Sequence, residues 1–518
     1  MLNRFAHAFL AFCLGQGIGI LASLLLVPLY LHVWSPGVYG EWLALSSVVS
    51  YLSSLDLGIQ SYAVNRLTQA YARSDTDDYR LIQHSAFALY FWIALLGTVG
   101  LAGFAYWAPI CSWFNLIVTT RRSAFLVMVL LGGQLLWTLP GSLVFYVYRT
   151  TGDLARSQWI WNASRVLSIV LTALALFFWP KLPVLAAMQL GGFLLILAFV
   201  LWDVRRRFPG LMPGFSGAKF SMLRPILNQS LFFALIEFSI GAGLQGSNLI
   251  VVSVAGAAAL ALFVTTRTLA NSIRQLVGLT VNAASTDLTR LEAADDKPRL
   301  RLAFRFVMFA SVASCLAISS SLWFEGTSVF GVWTHGRLLP DTWLLRLFLI
   351  WLVLQSPWTA AAAIPLYTNR HKPLTLSYLF ANIGGLALGA VLIPRMGLKG
   401  VPVAFIFTEA IACYHFVVRE ACDIVDEPYP RFARKLWVGL VFISSAALLT
   451  TWAVHRAPCL GTLPRWICSG AASIITVAIT AGLFWFRTED RIFVRQKAGI
   501  GLRFLGKVLP LRLRPTNT

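Results

Sequence analysis

The chain has 518 residues, of which 58% are hydrophobic and only 12% are charged. Soluble domains usually carry about twice that share of charged residues, so this composition excludes a soluble protein. The formal net charge of +21 would suggest a nucleic-acid partner in a soluble protein. Here the positions of the charges explain it differently, and we expect no nucleic acid to bind.

Apolar runs of roughly 20 residues, long enough to cross a bilayer core, recur about fourteen times between Phe9 and Phe486. They predict an all-α polytopic membrane protein with about 14 transmembrane helices. The runs lie at about 8–30, 41–64, 85–107, 124–148, 158–179, 184–202, 229–252, 257–283, 304–324, 342–366, 374–393, 401–418, 436–454 and 467–486.

The pattern of the first two spans is repeated by the seventh and eighth. In both 28–59 and 248–279, a long apolar helix, a glycine-containing turn and a helix that becomes polar halfway follow one another. Internal symmetry of this kind is common in transporters. We therefore expect an N-terminal six-helix lobe at 1–202, a basic cytoplasmic linker at 203–228, a C-terminal six-helix lobe at 229–420, two additional transmembrane helices at 421–486 and a basic cytoplasmic tail at 487–518.

The basic residues predict the orientation of the chain in the membrane. Of the 42 lysines and arginines, 30 lie in alternate gaps and at the ends, 8 lie in the other gaps, and 4 lie inside spans. Loops rich in lysine and arginine stay in the cytoplasm. The bias predicts that both termini are cytoplasmic.

The most informative intramembrane charges lie in the eighth span. Arg267, Asn271, Arg274, Gly278 and Asn282 follow one another at steps of four, three, four and four residues, which places them on one helical face. Arginine binds phosphate oxygens in a bidentate fork. We interpret Arg267 and Arg274, with Asn271, as a diphosphate-binding site. The alternative is a pair of snorkelling or structurally paired arginines.

Three intramembrane carboxylates are candidates for coupling transport to a proton or sodium gradient. Glu237 shares a stripe with Gln245 and Asn248 in the seventh span, and it could instead be the salt-bridge partner of an arginine. Asp56 precedes a glycine and could instead be an N-cap or helix-break residue. Glu409 lies deep in the twelfth span, and its role stays open.

Two further arginines are secondary candidates for binding, together with Gln245 and Asn248. Arg66 ends the second span near the cytoplasmic mouth, and Arg165 lies one turn from the cytoplasmic end of the fifth span, where snorkelling is easy. The seven cysteines form no CxxC motif or Cys/His cluster. We therefore expect no metal site, no other cofactor, no catalytic residue and no enzymatic activity.

Several motifs resemble those of a known family. Pro28-Leu29-Tyr30, the segment from Ser35 to Trp42 and Leu55-Asp56-Leu57-Gly58-Ile59 resemble the amino-terminal signature of bacterial polysaccharide biosynthesis flippases of the Wzx type. These belong to the superfamily that also holds multidrug/toxin extrusion (MATE) transporters and lipid II flippases, the MOP superfamily. The segment from Gly256 to Arg274 and the segment from 369 to 400, with Asn382, Gly397 and Gly400, are similar to the second-lobe pattern. The resemblance covers roughly residues 8–420.

The resemblance implies an exporter in the bacterial inner (plasma) membrane. Its substrate would be an undecaprenyl diphosphate-linked saccharide, flipped by alternating access through a cationic cavity between two MATE-like lobes. The products would be O-antigen, capsule or exopolysaccharide, with membrane lipids and polymerase or assembly proteins as partners. The family's arginines correspond here only to Arg267 and Arg274. The first span lacks the central arginine of the lipid II branch, in which two extra helices form a groove for the lipid tail.

Two other functions compete with the flippase. A multi-spanning glycosyltransferase or polymerase usually needs acidic or arginine-rich external loops, whereas the longest external loop here has only Glu325 and Asp341 as acidic residues. A MATE-type drug/ion antiporter would favour carboxylates and aromatic rings over a pair of arginines. Both stay alternatives to the flippase.

Overall fold

The computed structural model describes residues 2–56, 59–219, 222–367, 372–456 and 461–485. This part of the chain is built from helices and turns, without strands, which confirms the predicted all-α polytopic fold. The predicted basic tail at 487–518 lies outside the described residues.

The first lobe is formed by the helices up to residue 207. An N-cap serine, Ser35, and a proline at the first position start its second helix, in the usual way. The helices are α1 (Leu2–Val33), α2 (Pro36–Ser50), a 3-10 turn (Tyr51–Asp56), α3 (Ile59–Ala72), α4 (Thr76–Trp107), α5 (Ile110–Trp113), α6 (Arg121–Thr150), α7 (Leu154–Phe178) and α8 (Leu182–Arg207).

The second lobe and the two additional helices follow. Its helices are α9 (Leu223–Ala255), α10 (Ala257–Ala293), α11 (Lys297–Trp333), α12 (Thr342–Ala361), α13 (Ala363–Tyr367), α14 (Lys372–Met396), α15 (Gly400–Glu409), a π-helical turn (Ala410–Tyr414) and α16 (His415–Ile424). The additional helices are α17 (Tyr429–His455) and α18 (Thr462–Phe484).

Eleven helical segments of the described residues are long and apolar enough to cross a membrane. One of them, Pro373–Ile424, is 52 residues long, far more than the ~20 that one crossing needs. It turns back at Gly397, and Thr408 Oγ1 donates to the carbonyl of Ala381 at 2.9 Å, so it is a hairpin of two spans. The broken α2–α3 segment and the polar helix α10 bring the total to the fourteen predicted spans.

The side chains on the outer surface of the bundle are those of a membrane protein. Leu96 and Leu483, on opposite halves of the chain, are 65% and 71% exposed. In water such apolar exposure would be unfavourable, whereas lipid tails solvate it.

The second span is not one continuous helix, contrary to a simple prediction from its length. Ser47, Ser50 and Ser53 each donate a hydrogen bond to a backbone carbonyl three or four residues earlier. Serine side chains that bond to the backbone in this way bend a helix. The α-helix gives way to a 3-10 turn that ends at Asp56, and α3 begins at Ile59.

The two lobes meet closely at the end of the bundle where α2 and α10 begin, which we call the outer end because the charge bias predicts that it faces outside. Gly40 lies against α10 so tightly that a Cβ atom there would be 1.8 Å from the carbonyl oxygen of Ala257. Gly256, the residue before Ala257, adopts a φ of +82°, which glycine tolerates. This backbone conformation lets the chain turn sharply between α9 and α10.

Two polar contacts also join the lobes near the outer end. Asn115 Nδ2 donates to the carbonyl of Ser253 at 3.1 Å, and Trp333 Nε1 donates to the carbonyl of Leu24 at 2.6 Å. The loop that carries Asn115 is held by the buried carboxylate of Glu41, which accepts backbone hydrogen bonds from residues 117, 118 and 119. The outer end is therefore closed in this conformation.

Inside the predicted linker, the chain after α8 lies along the first turns of α4. Arg80 Nε donates to the carbonyl of Gly210 at 3.1 Å, and Gln83 Nε2 donates to the carbonyl of Leu211 at 3.0 Å. The backbone N–H of Lys219 donates to Ser85 Oγ at 3.0 Å. This segment, 208–219, is a docked strap rather than a free tether.

The additional helices α17 and α18 pack on α11 of the second lobe. Ser473 Oγ donates to the carbonyl of Ala317 at 2.7 Å and lies 2.9 Å from Ser320 Oγ. Nearer the outer end, His455 Nδ1 lies 2.6 Å from the carboxylate of Glu325. The two helices are therefore anchored to the second lobe by buried polar contacts as well as by apolar packing.

Candidate functional site

Arg267 is buried between α10 and α9, and its guanidinium is held by neutral groups. Nη1 donates to Ser247 Oγ at 2.8 Å and to the carbonyl of Leu244 at 3.1 Å, and Nη2 donates to Asn248 Oδ1 at 2.8 Å. The guanidinium also lies 5.3 Å from the centroid of the Phe263 ring. These contacts orient the arginine without cancelling its charge.

The acceptors on α9 are themselves held in place. Asn248 Nδ2 donates to Ser47 Oγ of α2 at 2.8 Å and lies 3.4 Å from Gln245 Oε1. The predicted stripe of Gln245 and Asn248 thus supports Arg267 from the side of α9. A chain of hydrogen bonds runs from α2 of the first lobe, through α9, to the arginine of α10.

Arg274 lies two turns further along α10, and both arginines line the same cavity. In the described part of the chain, no carboxylate lies within 4.0 Å of either guanidinium. The two positive charges are close enough to repel each other. A low-dielectric cavity with two cations that form no close ion pair attracts an anion.

The cavity has a volume of about 280 Å³ and lies within the second lobe. Its walls come from α9, α10, α12, α14 and α15. The lining residues are Ile240, Gly243, Leu244, Arg267, Arg274, Trp351, Gln355, Trp358, Thr359, Tyr378, Asn382, Phe405 and Glu409.

Glu409 lines the same cavity, where three side chains of α12 hold its carboxylate. Trp351 Nε1 and Gln355 Nε2 donate to Oε1 at 2.9 and 3.0 Å, and Trp358 Nε1 donates to Oε2 at 3.0 Å. The helix then widens into the π-helical turn at Ala410–Tyr414. Such turns occur frequently at functional sites.

Arg274 and Glu409 are close enough to attract each other, but they do not form an ion pair within 4.0 Å. The three hydrogen bonds from α12 account for this, because they aim the carboxylate at α12 instead. The site therefore combines a positive wall with a separately held negative charge. Arg274 stays available for an anion.

Asn271, predicted to bind with the two arginines, is not among the residues that line this cavity. Its side chain is half-buried on α10 between them. The two arginines therefore line the cavity, whereas the amide between them does not. Of the other predicted members, Gly278 has no side chain, and the side chain of residue 282 lies outside the described residues.

The two other predicted carboxylates lie together, away from the arginine cavity. Asp56 ends the 3-10 turn of the second span, where Tyr90 Oη donates to its Oδ1. Glu237 of α9 is exposed and is near enough to Asp56 for their charges to repel. No arginine of the described residues lies within 4.0 Å of Glu237, so the structure offers it no salt-bridge partner there.

The secondary arginines also lie elsewhere. Arg66 of α3 is 3.8 Å from the carboxylate of Asp78, and both side chains are partly exposed. Arg165 of α7 is exposed, and its Nη1 donates to the carbonyl of Gly15 in α1. Neither belongs to the cavity of Arg267 and Arg274.

The sequence analysis missed the residues that α12 and α14 contribute to the cavity. Trp351, Gln355 and Trp358 follow at steps of four and three, the spacing of one helical face, in an otherwise apolar span. From this spacing, a shared functional face on this span could have been predicted from the sequence. Tyr378 and Asn382 of α14 also line the cavity, one helical turn apart.

Among the described residues, no group of three or more His, Cys, Asp or Glu side chains could hold a metal ion. Two arginines, indole and amide donors, a tyrosine and one carboxylate can bind and release an anion.

The described residues form a polytopic helical bundle of two lobes with two additional helices. The described fold is similar to the lipid II flippase MurJ in an inward closed conformation, with a TM-score of 0.70, 12% identity, and coverage of 92% of this chain and 98% of that one. It is also similar to a MATE-family multidrug transporter in an inward-facing conformation, with a TM-score of 0.62, 14% identity, and coverage of 78% and 94%.

A third solved structure of this fold is a MOP-superfamily transporter from Pyrococcus furiosus described as having a binding pocket of reverse polarity. It has a TM-score of 0.59 and 12% identity, with coverage of 82% of this chain and 96% of that one. No protein-family model matches the sequence, and no curated protein matches it. At these identities the likeness establishes the fold alone. The motifs resemble the Wzx-type flippases, a narrower group than the fold establishes, so this resemblance stays a prediction.

Proposed function

We propose that this chain is a membrane transporter that flips a polyprenyl diphosphate-linked oligosaccharide from the cytoplasmic to the outer leaflet. The observation that carries this proposal is the pair of buried arginines, Arg267 and Arg274, in one cavity with no carboxylate within 4.0 Å in the described part of the chain. Two cations without a close ion pair are costly in a membrane, and a function that needs an anion there explains them.

A diphosphate suits this geometry. Two guanidiniums seven residues apart on one helix are separated by ~10 Å along the axis, and both side chains are long enough to converge on one diphosphate. Arginine stays charged when it is desolvated, and its fork matches phosphate oxygens. The saccharide would cross in the aqueous space between the lobes while the polyprenyl tail stays in lipid.

The comparisons support transport as the general activity, since the similar structures are named as a lipid II flippase and as a multidrug resistance transporter. The positive cavity favours an anionic substrate over the cationic drugs of a multidrug exporter. The closed outer end is consistent with entry of the substrate from the opposite, cytoplasmic end. Alternating access would follow if the contacts of Gly40 and Trp333 opened while the cytoplasmic end closed.

The test is transport by the purified full-length chain in proteoliposomes, with a fluorescent polyprenyl diphosphate-linked oligosaccharide as substrate. Arg267→Ala and Arg274→Ala should each reduce flipping at least about tenfold, because a charged hydrogen-bonding group is lost from the site. The corresponding lysine variants should retain part of the activity. Arg299→Ala is the matched control, since Arg299 is 73% exposed and its ion pair with Asp296 lies outside the cavity.

Two outcomes would contradict the proposal. Wild-type flipping by the double alanine variant would make the arginines structural. Transport of a cationic drug, with no flipping of the lipid-linked saccharide, would identify a MATE-type antiporter instead. Running the assay with and without a proton or sodium gradient would also test Asp56, Glu237 and Glu409 as coupling residues.

A further inference from the structure

A second cavity lies inside the first lobe, and the proposed transport cycle does not use it. It has a volume of about 140 Å³, is lined by described residues of α6, α7 and α8, and shares none of them with the arginine cavity. Six of its lining side chains are polar and uncharged: Gln134, Thr138, Ser142, Ser164, Ser168 and Gln189.

The polar groups of this cavity are incompletely satisfied by the protein. The hydroxyls of Thr138 and Ser142 donate to carbonyls of their own helix, at 2.8 and 2.7 Å. Within the described residues, the side chains of Gln134, Ser164 and Gln189 form no hydrogen bond with another protein group. Amides and hydroxyls in a membrane are costly unless a polar partner fills the space beside them.

Aromatic rings form the rest of the wall. Phe145 and Trp161 lie with their ring centroids 5.2 Å apart, and Phe193 of α8 completes the lining. Small-molecule sites commonly combine apolar and aromatic walls with a few converging polar groups. A flat ring with apolar faces and hydroxyls around its edge matches such a surface.

The lack of charged side chains in the described lining disfavours charged ligands. Among the described residues, no lysine, arginine, aspartate or glutamate lines the cavity, so these residues offer no counter-charge to a phosphate, a carboxylate or a cation. Its volume lies well below the ~300 Å³ at which sites for drug-sized ligands begin, so it has room for one ring rather than a chain of rings.

We propose that the cavity between α6, α7 and α8 is a binding site for one neutral sugar ring. The proposal does not depend on the function of the arginine cavity. The ring could belong to a transported saccharide or to a glycolipid of the membrane, which supply the same chemistry. Gln134 and Gln189 would bind the hydroxyls from facing helices, and Trp161 would cover the apolar face of the ring.

The test uses the full chain in nanodiscs, with its native cysteines replaced and Ser168→Cys introduced at the rim of the cavity, where residue 168 is exposed. All probes carry the same octyl tail. Three of them have a sugar head group, which is glucose, galactose or N-acetylglucosamine. The two comparison probes have phosphocholine or phosphate as the head group. At least one glycoside should slow labelling of the cysteine about fivefold or more, a protection reached when the probe exceeds its Kd several-fold. The two other heads should change the rate less than twofold.

Gln134→Leu combined with Gln189→Leu should abolish the protection in the same background. Thr98→Val on α4 is the control, since its hydroxyl donates within its own helix to the carbonyl of Ala94 and the residue does not line the cavity. If the double variant does not fold, Ser164→Ala with Gln189→Asn replaces it and should weaken protection. Equal protection by phosphocholine would identify a site for lipid tails, and absence of protection by all three glycosides would exclude a sugar site. Binding of inorganic diphosphate to the arginine cavity, measured on the same samples, separates failure of this proposal from failure of the proposed transport function.

Discussion

The guanidinium of Arg267 and the side chain of Asn248 are joined by a hydrogen bond of 2.8 Å between Nη2 and Oδ1. The same amide donates from Nδ2 to Ser47 Oγ of α2, also at 2.8 Å. A neutral side chain thus connects the first lobe to an arginine of the second lobe's cavity. The amide orients the positive charge of Arg267 without neutralising it. A carboxylate at the same position would neutralise it.

This relationship predicts different effects for two substitutions of Asn248. Asn248→Asp would place a negative charge within hydrogen-bond distance of Arg267, and we expect it to weaken binding of a polyprenyl diphosphate by about tenfold or more, as for loss of a charged contact. Asn248→Ala removes the orientation but leaves the charge free, so the loss should be smaller, about threefold. Equilibrium binding to each variant in nanodiscs measures both, and equal losses would contradict the electrostatic explanation.

Glu409 is predicted to limit how tightly the cavity holds an anion. Its carboxylate attracts Arg274 from the opposite wall while three donors of α12 hold it in place. Glu409→Gln removes the negative charge, so we expect a polyprenyl diphosphate to bind several-fold more tightly and to be flipped more slowly, because release becomes limiting.

The matched control is Glu420→Gln, a carboxylate on α16 that does not line the cavity. It should change neither binding nor flipping. Weaker binding in Glu409→Gln would indicate instead that the carboxylate chiefly orders the cavity. Measuring affinity and flipping rate on the same samples distinguishes the two effects.

The arginine pair could be predicted from the sequence because it depends on one helix only. Arg267 and Arg274 are seven residues apart, and helical periodicity alone places them on one face. The partners of Glu409 could not be predicted in this way. Trp351 and Trp358 share a face of α12, but only the packing of α12 against α15 brings that face to the carboxylate.

Asp56 illustrates a different limit of the sequence. Its position before a glycine was compatible both with a coupling carboxylate and with a helix break, and a break is what the backbone has there. Its hydrogen bond from Tyr90 depends on a tertiary contact with α4. Hydropathy predicted the span, but the serine hydrogen bonds that end the α-helix depend on side-chain orientation.

Gly40 should be intolerant of a side chain because of its contact with α10. A Cβ atom there would lie 1.8 Å from the backbone oxygen of Ala257, so one helix must move. We expect Gly40→Ala to destabilise the protein by about 1–3 kcal/mol, as overpacking typically does, and to open the outer end. Gly100→Ala on α4 is the control, since nothing lies within 4 Å of the position that a Cβ atom would take there. Thermal unfolding in detergent compares them, and equal melting temperatures would contradict the close contact.

The strap at 208–219 should become accessible when its bonds to α4 are removed. Gln83→Ala removes the donor to Leu211, and Ser85→Ala removes the acceptor for the backbone N–H of Lys219. Because protease cleavage requires the backbone to leave its docked position, the double variant should be cut faster by trypsin at Lys219. Thr98→Val is the control, because Thr98 lies further along α4 and its hydroxyl donates to the carbonyl of Ala94 in the same helix. Unchanged cleavage would mean that apolar packing of Phe215 on Phe87 and Phe91 holds the strap by itself.

The orientation predicted from the basic residues can be tested at two exposed positions. Gly210 lies in the strap, on the side where most lysines and arginines gather, and Leu339 is 84% exposed in the loop between α11 and α12 on the opposite side. In a background without native cysteines, an impermeant thiol reagent applied to intact cells should label Leu339→Cys and leave Gly210→Cys unlabelled. After the membrane is permeabilised, both should react, because both positions are exposed to solvent. Labelling of Gly210→Cys in intact cells would show that the chain has the opposite topology. The closed end of the bundle would then face the cytoplasm.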